Sequence, residues 1–241
     1  MKIKFICLNL WLGGFLYDAI LDFLSKEKPD VIAMQEVFNS SLKVLKAELG
    51  YKYASFAPAF LEKTKDWQVE WGNAVLSKFP IITTKTTFYD IPYGKNYVPK
   101  IKSASRTPRN LQQAVLKADN LKLNIFNTQG IWGTDGRDNK RRLKMGQTIV
   151  NEIRGKKNVI LAGDFNLSPD TKTVAKIEKH LKNVFKNELT TTFNMKRKTK
   201  PGYARAVADM IFVSKEIKVI EHYCPKVDVS DHLPLVCQLE I

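Results

Sequence analysis

Short polar motifs follow the apolar runs of this chain, and this pairing limits the folds that it can form. LNLW ends the first apolar run with Asn9, QEV ends the second with Glu36, and AGDFN ends a later one with Asp164. Short apolar runs of this kind, bounded by polar residues, are typical of buried strands. In sheets that combine strands with helices, ligands bind where the strands end. We therefore expect polar side chains from distant parts of the chain to meet at one edge.

Strand and helix patterns alternate along the chain. Residues 17–28 place apolar side chains on one helical face, and 138–153 predict an amphipathic surface helix with basic residues on its outer side. Residues 112–128 predict a hairpin. Residues 51–71 lack a clear period, and we expect irregular structure there. No repeat, low-complexity tract or linker stands out, so we predict one domain over residues 1–241.

Composition favours a folded protein of the cytoplasm. Its 44% hydrophobic and 26% charged residues are ordinary for a globular chain. No apolar stretch approaches the roughly 18 residues that span a bilayer, and the first residues lack a signal-peptide cleavage site. Three cysteines without CxxC spacing argue against disulfides and a zinc site. We expect a cytoplasmic monomer without stable membrane association.

The charge balance points to an anionic partner. The net charge is +15, from 39 Lys and Arg against 24 Asp and Glu. Such an excess favours nucleic acid or an anionic membrane surface, although a bias in genomic base composition also produces Lys-rich chains. The cations cluster in residues 100–109, 137–144 and 195–200. These segments could bind a phosphate backbone, or they could be solvated loops and a helix face.

Five motifs together resemble those of the endonuclease/exonuclease/phosphatase superfamily. LNLW, QEV, NTQG, AGDFN and SDHLPL stand in the family's order between Asn9 and Leu235, and QEV, GDFN and SDHLPL are the specific ones. GNAVLSKFPI resembles a strand-and-turn segment of the family. The resemblance implies an α/β fold with four layers, in which two mixed, mostly antiparallel β-sheets pack face to face and helices cover the outer faces.

The resemblance also implies a metal site. Glu36 would be the main ligand of a catalytic Mg²⁺ or Mn²⁺, with Asn9 beside the same ion. Asp231 would complete the metal site or support it from behind. Taken alone, a strand-end Glu is more often part of a surface salt bridge, and an Asn often closes a turn. The motif context favours the metal-binding interpretation.

Four further residues take catalytic roles by the same resemblance. Asp164 would orient and deprotonate the attacking water, and Asn166 would donate a hydrogen bond to a phosphate oxygen. His232 would donate to the phosphate, with Asp209 holding its ring. An Asp–x–Asn turn would explain GDFN structurally, but such sites are built on turns, so both interpretations can hold.

The chain departs from the family pattern at two positions. Gln129 stands where many members carry a His that contacts the scissile phosphate, and Val207 stands where an Arg is usual. Gln129 can donate a hydrogen bond but carries no positive charge. We expect Gln129 to take part in catalysis with a weaker effect, or a neighbour to supply the charge: Arg137, Arg141 or Arg142.

The expected activity is metal-dependent hydrolysis of a phosphodiester in nucleic acid, with DNA favoured, by in-line attack of water. We also predict substrate contacts for Asn73 and for Trp132, which could stack on bases, as Tyr97 could. QEVF, GDFNL and SDHLPL look more like generic members and the tyrosyl-DNA phosphodiesterase type than like abasic-site endonucleases. The alternatives are a phosphatase or phospholipase acting on inositol phosphates or sphingomyelin, and a non-catalytic module that binds nucleic acid.

Overall fold

The computed structural model describes residues 1–63, 65–97, 107–198 and 206–241. Within these ranges the strands are β1 (Lys2–Asn9), β2 (Val31–Phe38), β3 (Tyr53–Lys63), β4 (Gln68–Ser77), β5 (Ile81–Phe88), β6 (Gly94–Tyr97), β7 (Asn110–Ala118), β8 (Leu121–Gln129), β9 (Val159–Asp164), β10 (Lys182–Asn183), β11 (Asp209–Val213), β12 (Lys218–Tyr223) and β13 (Leu235–Glu240). The helices are α1 (Tyr17–Glu27), α2 (Asn39–Glu48), α3 (Lys140–Ile153) and α4 (Lys172–Glu178).

The strands form two mixed sheets. The first has seven strands in the order β12-β13-β1-β2-β4-β3-β6, and the second has six in the order β10-β11-β9-β8-β7-β5. The pairs β1–β2, β3–β6 and β8–β9 are parallel, and the other pairs are antiparallel. Apolar side chains from both sheets, among them Phe5, Ile125 and Ile211, share one buried cluster between them. The predicted mixed, mostly antiparallel sheets are confirmed.

Helices cover the outer face of each sheet. Ile20 and Leu24 of α1 and Leu45 of α2 pack into a second cluster with strands of the seven-stranded sheet. On the other side, Ile149 of α3 and Val174 of α4 pack against strands of the six-stranded sheet. Apolar stripes on these helices are buried because each faces a sheet. This confirms the four-layer sandwich. Across the described residues, each helix is too short or too polar to cross a membrane.

The expectation of irregular structure over residues 51–71 is wrong. The strands β3 and β4 pair antiparallel through most of this segment. The register shifts between Pro58 and Phe60, so the pleat loses its period of two at that point. The outer half of β4 is only partly buried, which further weakens the alternation of apolar and polar residues.

Candidate active site

Strand ends from both sheets bring the predicted polar residues together. Asn9 and Glu36 lie at the ends of β1 and β2, which are parallel neighbours. In the other sheet, Gln129 at the end of β8 is paired in register with Asp164 at the end of β9. Asp164 is also paired with Asp209, the first residue of β11. The Nδ2 atom of Asn9 donates to Asp164 Oδ2 at 3.2 Å and so connects the two sheets. Residues far apart in the sequence therefore form one site.

A β-bulge positions Glu36. Between Met34 and Val37 the pairing of β2 with β4 shifts by one residue, so two residues of β2 face one residue of β4. Glu36 has φ of 54°, in the left-handed region that a residue with a side chain rarely adopts. A bulge of this kind redirects a side chain near a functional site. Here it turns Glu36 towards Asn9, while the preceding Gln35 is fully buried.

The carboxylate of Glu36 accepts only neutral donors within the described part of the chain. Its Oε1 atom accepts from Nδ2 of Asn9 at 3.3 Å and from Nε2 of Gln129 at 2.8 Å, and its Oε2 atom accepts from the backbone N–H of Leu12 at 3.2 Å. The same Nδ2 atom of Asn9 also donates to the carboxylate of Asp164, so Asn9 links the two carboxylates. Carboxylate oxygens of this kind fit a hard divalent cation, whereas Oδ1 of Asn9 accepts from the backbone N–H of Trp11 at 3.0 Å.

Asp164 is a buried carboxylate held by amides. Its Oδ1 atom accepts from the backbone N–H of Asn166 at 2.9 Å, and its Oδ2 atom accepts from Nδ2 of Asn166 and of Asn9, both at 3.2 Å. Burial raises the pKa of Asp164 to about 6; His232 opposes the shift, and the carboxylates of Asp209 and Glu36 add to it. A carboxylate with this pKa is a better proton acceptor than an ordinary Asp and is ionised at neutral pH.

Asn166 is committed to the architecture of this loop. Its φ is 52°, which an Asn tolerates better than most residues. Its Nδ2 atom donates to the backbone carbonyl of Gly130 at 3.2 Å as well as to Asp164. In this arrangement Asn166 orients the carboxylate of Asp164. The predicted hydrogen bond from Asn166 to a phosphate stays a prediction.

His232 and Asp209 form a buried pair. The Nδ1 atom of His232 lies 2.8 Å from Oδ2 of Asp209. The hydroxyl of Thr192 accepts from the backbone N–H of Asp209 and thereby fixes the start of β11. Burial lowers the pKa of His232, but the carboxylate of Asp209 and then those of Asp164 and Asp231 outweigh it and raise this pKa to about 10. His232 therefore has Nε2 available as a donor.

Asp164, Asp209 and His232 also meet the geometric requirement of a metal site. Their ligand atoms all lie within 4.8 Å of one another, and all three side chains are buried. The hydrogen bond between Asp209 and His232 already uses one ligand atom of each. Glu36, which is only partly buried, thus offers the more accessible carboxylate of the site.

Gln129 is held between two charged groups. Nη1 of Arg109 donates to Oε1 of Gln129 at 2.5 Å, and Nε2 of Gln129 donates to Glu36. The first contact fixes which end of the amide faces Glu36. Arg109 therefore places a positive charge behind the amide, on its Oε1 side, and Gln129 presents a neutral donor to the predicted metal ligand.

The three arginines predicted to supply charge pair with other parts of the protein. Arg137 contacts Asp170 at 2.6 Å on the surface, and Arg141 donates to Asp90. Arg142 is 0% exposed, and this burial argues against its predicted contact with substrate. The predicted basic segments are only partly visible, because residues 98–106 and 199–205, as well as the side chain of Tyr97, lie outside the described parts.

Arg142 shapes a loop beside the site. Its Nε donates to the carbonyl of Ile131 at 3.0 Å, and its Nη1 donates to the carbonyl of Arg137 at 2.5 Å and to Asp135 at 2.9 Å. Its Nη2 is buried without a partner in the described residues. The interpretation of this side chain as part of a basic outer face is wrong, because it shares the inner face of α3 with Met145.

The two other predicted substrate contacts lie in different environments. Asn73 is buried, and its Nδ2 donates to Oδ1 of Asn110 at 2.9 Å. This contact fixes β4 against β7 and argues against direct contact between Asn73 and substrate. Trp132 is 39% exposed in the loop that Arg142 shapes, where its ring is accessible to a ligand.

Asp231 contacts a lysine that the sequence analysis did not select. Nζ of Lys198 lies 2.9 Å from Oδ2 of Asp231 and 4.8 Å from the centre of the Phe193 ring. Burial lowers the pKa of Lys198, but the carboxylates of Asp231, Asp164 and Glu36 raise it above its ordinary value. The only sequence signal for this residue was its place in the basic run 195–200.

Sequence comparison assigns the family. The profile described as "Endonuclease/Exonuclease/phosphatase family" matches residues 7–232. The chain belongs to this family. Its members are phosphoric ester hydrolases that typically use a divalent metal ion. None of the curated proteins matches the chain.

Solved structures share the fold. An endonuclease/exonuclease/phosphatase from Bacteroides vulgatus has a TM-score of 0.77 at 18% identity, over 100% of this chain and 99% of that one. D. rerio TDP2, complexed with single strand DNA product, has a TM-score of 0.75 at 18% identity, over 100% and 99%. The mannosyl-6-phosphatase Bt3783 from Bacteroides thetaiotaomicron has 0.71 at 20% identity, over 99% and 100%. These identities establish the shared fold only.

Proposed function

We propose that this protein is a Mg²⁺- or Mn²⁺-dependent phosphodiesterase that hydrolyses nucleic acid, with DNA favoured. The observation that carries the proposal is the position of Asp164. This buried carboxylate lies between Glu36 and Asn9 on one side and the pair of His232 and Asp209 on the other. A proton acceptor, oxygen ligands for a cation and a charged donor are the groups needed to hydrolyse a phosphate ester with water.

Each group has a distinct task in the proposed reaction. Asp164, held by Asn9 and Asn166, accepts a proton from the attacking water. The water oxygen bonds to phosphorus as the bond from phosphorus to the ester oxygen breaks, and the departing oxygen takes up a proton from solvent water. His232 donates a hydrogen bond from Nε2 to a phosphate oxygen as negative charge develops there, and Asp209 keeps its ring charged and oriented. A bound divalent cation would add positive charge at the phosphate. Glu36 would hold it, with Asn9 beside it.

Charge and exposed aromatic rings support a nucleic-acid substrate. The net charge of +15 favours a polyanion. In the loop after β1, Phe15 is 62% exposed, and its ring lies 4.7 Å from that of Trp11. The loop after β8 exposes Trp132. Because both loops follow strands that end at the site, these rings are placed to stack on unpaired bases.

A phosphatase acting on a small phosphate ester is the second candidate. One observation favours it: Arg137 and Arg141 form ion pairs with carboxylates of the protein, and Arg142 is buried. These predicted contacts to a phosphate backbone are therefore engaged within the fold. A small phosphomonoester has no polynucleotide backbone, so it can bind at the site without a row of cations that contact further phosphates.

A substrate panel decides between the candidates. The purified chain is incubated with Mg²⁺, Mn²⁺ or EDTA and with single-stranded DNA, an abasic duplex, RNA, a 5′-tyrosyl oligonucleotide, inositol phosphates, sphingomyelin and a sugar phosphate. We expect metal-dependent cleavage of DNA that EDTA abolishes. Release of inorganic phosphate from the small esters alone would overturn the nuclease proposal in favour of the phosphatase. Binding of DNA without cleavage of any substrate would favour a non-catalytic module.

Two variants test the catalytic roles. We expect Asp164→Asn and His232→Ala to abolish turnover on the best substrate while the circular dichroism spectrum is retained. Asp22→Asn and His222→Ala are matched controls, because each side chain forms an ion pair with a residue that has no role in the proposed site. Full turnover in either site variant would refute its assigned role.

A further inference from the structure

Lys198 places a fixed positive charge at the edge of the site. Its ammonium contacts Oδ2 of Asp231 at 2.9 Å, and its side chain is 35% exposed, so the protein does not enclose it. The ring of Phe193 lies beneath Nζ, 4.8 Å away at its centre, and packs edge-on against His232 at 4.7 Å. Lys198 is thus next to two site residues and accessible to a ligand.

The segment that carries Lys198 is anchored to the loop of the catalytic histidine. Phe193 and His232 form a β-bridge, and the backbone N–H of Asn194 donates to the carbonyl of Asp231 at 2.9 Å. The backbone N–H of Lys198 in turn donates to the carbonyl of Asn194 at 2.9 Å. These contacts fix the start of the Lys198 side chain relative to Asp231, so the ion pair is part of the fold.

The turn itself is held by a second ion pair. The guanidinium of Arg197 contacts both carboxylate oxygens of Asp228, at 2.8 and 2.7 Å. Nδ2 of Asn194 also donates to Asp228 at 2.8 Å. Two-point contact between Arg and a carboxylate restricts orientation as well as distance. Arg197 therefore anchors the turn, and Lys198 is left to face the site.

Among the described residues, a positively charged side chain contacts Asp231 but none contacts Glu36. Asp231 is compensated by an ammonium, whereas Glu36 accepts only the neutral donors Asn9, Leu12 and Gln129 among the described residues. A divalent cation on Asp231 would lie close to Nζ of Lys198, and like charges at such distances repel strongly. The charge of Lys198 also reaches Glu36, whose carboxylate contributes to the raised pKa of the ammonium, but no cation in the described ranges contacts Glu36 directly.

We propose that Lys198 takes the place of a second divalent cation: it holds Asp231 in the resting site and binds a non-bridging oxygen of the phosphate when the ester enters. The site then takes one divalent ion, on the Glu36 side. Lys198 also provides the positive charge that Gln129 lacks. This inference rests on the proposed phosphoesterase function, and it assigns Asp231 to Lys198 rather than to the metal.

Metal titration tests the inference without relying on turnover. Calorimetry follows the binding of Mn²⁺ to the metal-stripped wild type, to Lys198→Met and to the control Lys196→Met, whose exposed side chain precedes Lys198 in the same turn. We expect one Mn²⁺ per chain in the wild type and the control, and a second bound Mn²⁺ in Lys198→Met because Oδ2 of Asp231 then lacks its ammonium partner. Two ions in the wild type, or one ion of unchanged affinity in Lys198→Met, would overturn the inference.

Phosphate binding provides the second measurement. Inorganic phosphate is titrated into the Mn²⁺-loaded proteins, and we expect its affinity to fall at least tenfold in Lys198→Met, to recover partly in Lys198→Arg and to be unchanged in Lys196→Met. If the wild type cleaves an ester and Lys198→Met still binds phosphate as tightly as the wild type, this inference is overturned while the proposed function stands. A wild type that binds no Mn²⁺ and cleaves none of the panel overturns the proposed function and this inference together.

Discussion

Replacing Asp209 by Asn tests the electrostatic argument for His232 most directly. The side chains of His232 and Asp209 are 5% and 2% exposed, and Oδ2 of Asp209 lies 2.8 Å from Nδ1 of His232. Asn keeps the size of the side chain and can still accept a hydrogen bond, but it removes the negative charge. The substitution therefore separates the charge of the pair from its shape.

The expected shift follows from the balance of burial and charge. Burial alone lowers the pKa of His232, and the carboxylate of Asp209 is the largest of the contributions that raise it to about 10 from 6.5. A rise of this size corresponds to a preference of about 5 kcal/mol for the charged imidazolium. Without Asp209, burial is opposed only by the smaller contributions of Asp164 and Asp231, and we expect the pKa to fall towards its ordinary value of 6.5. His232 would then be largely neutral at pH 7.5, and turnover should fall by on the order of 10².

Nuclear magnetic resonance measures the pKa directly in the metal-free protein. The imidazole signals of His232 are assigned with His232→Gln and followed between pH 5 and pH 11 in the wild type and in Asp209→Asn. Glu188→Gln is the matched control, since it removes the carboxylate 2.6 Å from the partly exposed His222. An imidazole of wild-type His232 that titrates near 6.5, or one that titrates alike in both proteins, would refute the reasoning.

The same pair predicts how stability depends on pH. Because the folded-state pKa of His232 is raised, its contribution is fully present below the unfolded value of 6.5 and is lost as the pH rises through about 10. In EDTA, the free energy of unfolding of the wild type should therefore approach that of Asp209→Asn between pH 7 and pH 10. Urea unfolding at several pH values measures this difference, and a constant difference contradicts the assignment.

Three further predictions concern the base, the loop and the strand packing. Asp164 must be ionised to accept a proton, and its pKa is about 6 before a bound cation lowers it. The value of kcat/KM should therefore fall with decreasing pH only at or below about pH 6. A decline that begins above pH 7 would contradict this. Arg142→Met should lower the free energy of unfolding by about 3 kcal/mol, because buried charged hydrogen bonds to the 131–137 loop are lost; urea unfolding that matches the wild type would contradict it. Gly163→Ala should prevent folding or cost more than about 3 kcal/mol, because its Cβ would lie 1.9 Å from the carbonyl oxygen of Thr128 at a φ of 153°; a thermal melt like that of the wild type would contradict it.

Strand-end motifs made the main outline of the site predictable. Asn9, Asp164 and Asp209 each lie at an end of a buried strand, and neighbouring strands of a sheet bring such residues within a few ångströms of one another. The apolar runs indicate the strands without any knowledge of their partners. The convergence of these residues follows from the pattern once the strands pair in this order.

The orientation of Glu36 and the burial of Arg142 were not predictable from local sequence. The bulge that redirects Glu36 depends on the register between β2 and β4, and these strands are separated by α2 and β3. Arg142 is buried because the loop that follows β8 offers it two backbone carbonyls and a carboxylate. A buried Arg that is held by such groups looks, in the sequence, like any surface cation.

The same reasoning explains why substrate is harder to infer than reaction type. The groups that act on the phosphate, such as Asp164 and His232, lie at or near strand ends. The cations that determine which ester binds lie in the connections between strands. Arg109 lies behind Gln129, Arg142 supports a loop, and Lys198 faces Asp231. These three cations have the same charge but different tasks, and only the partners of each side chain distinguish them. Net charge therefore indicates an anionic substrate, while the direction in which each cation faces determines which phosphate the site can hold.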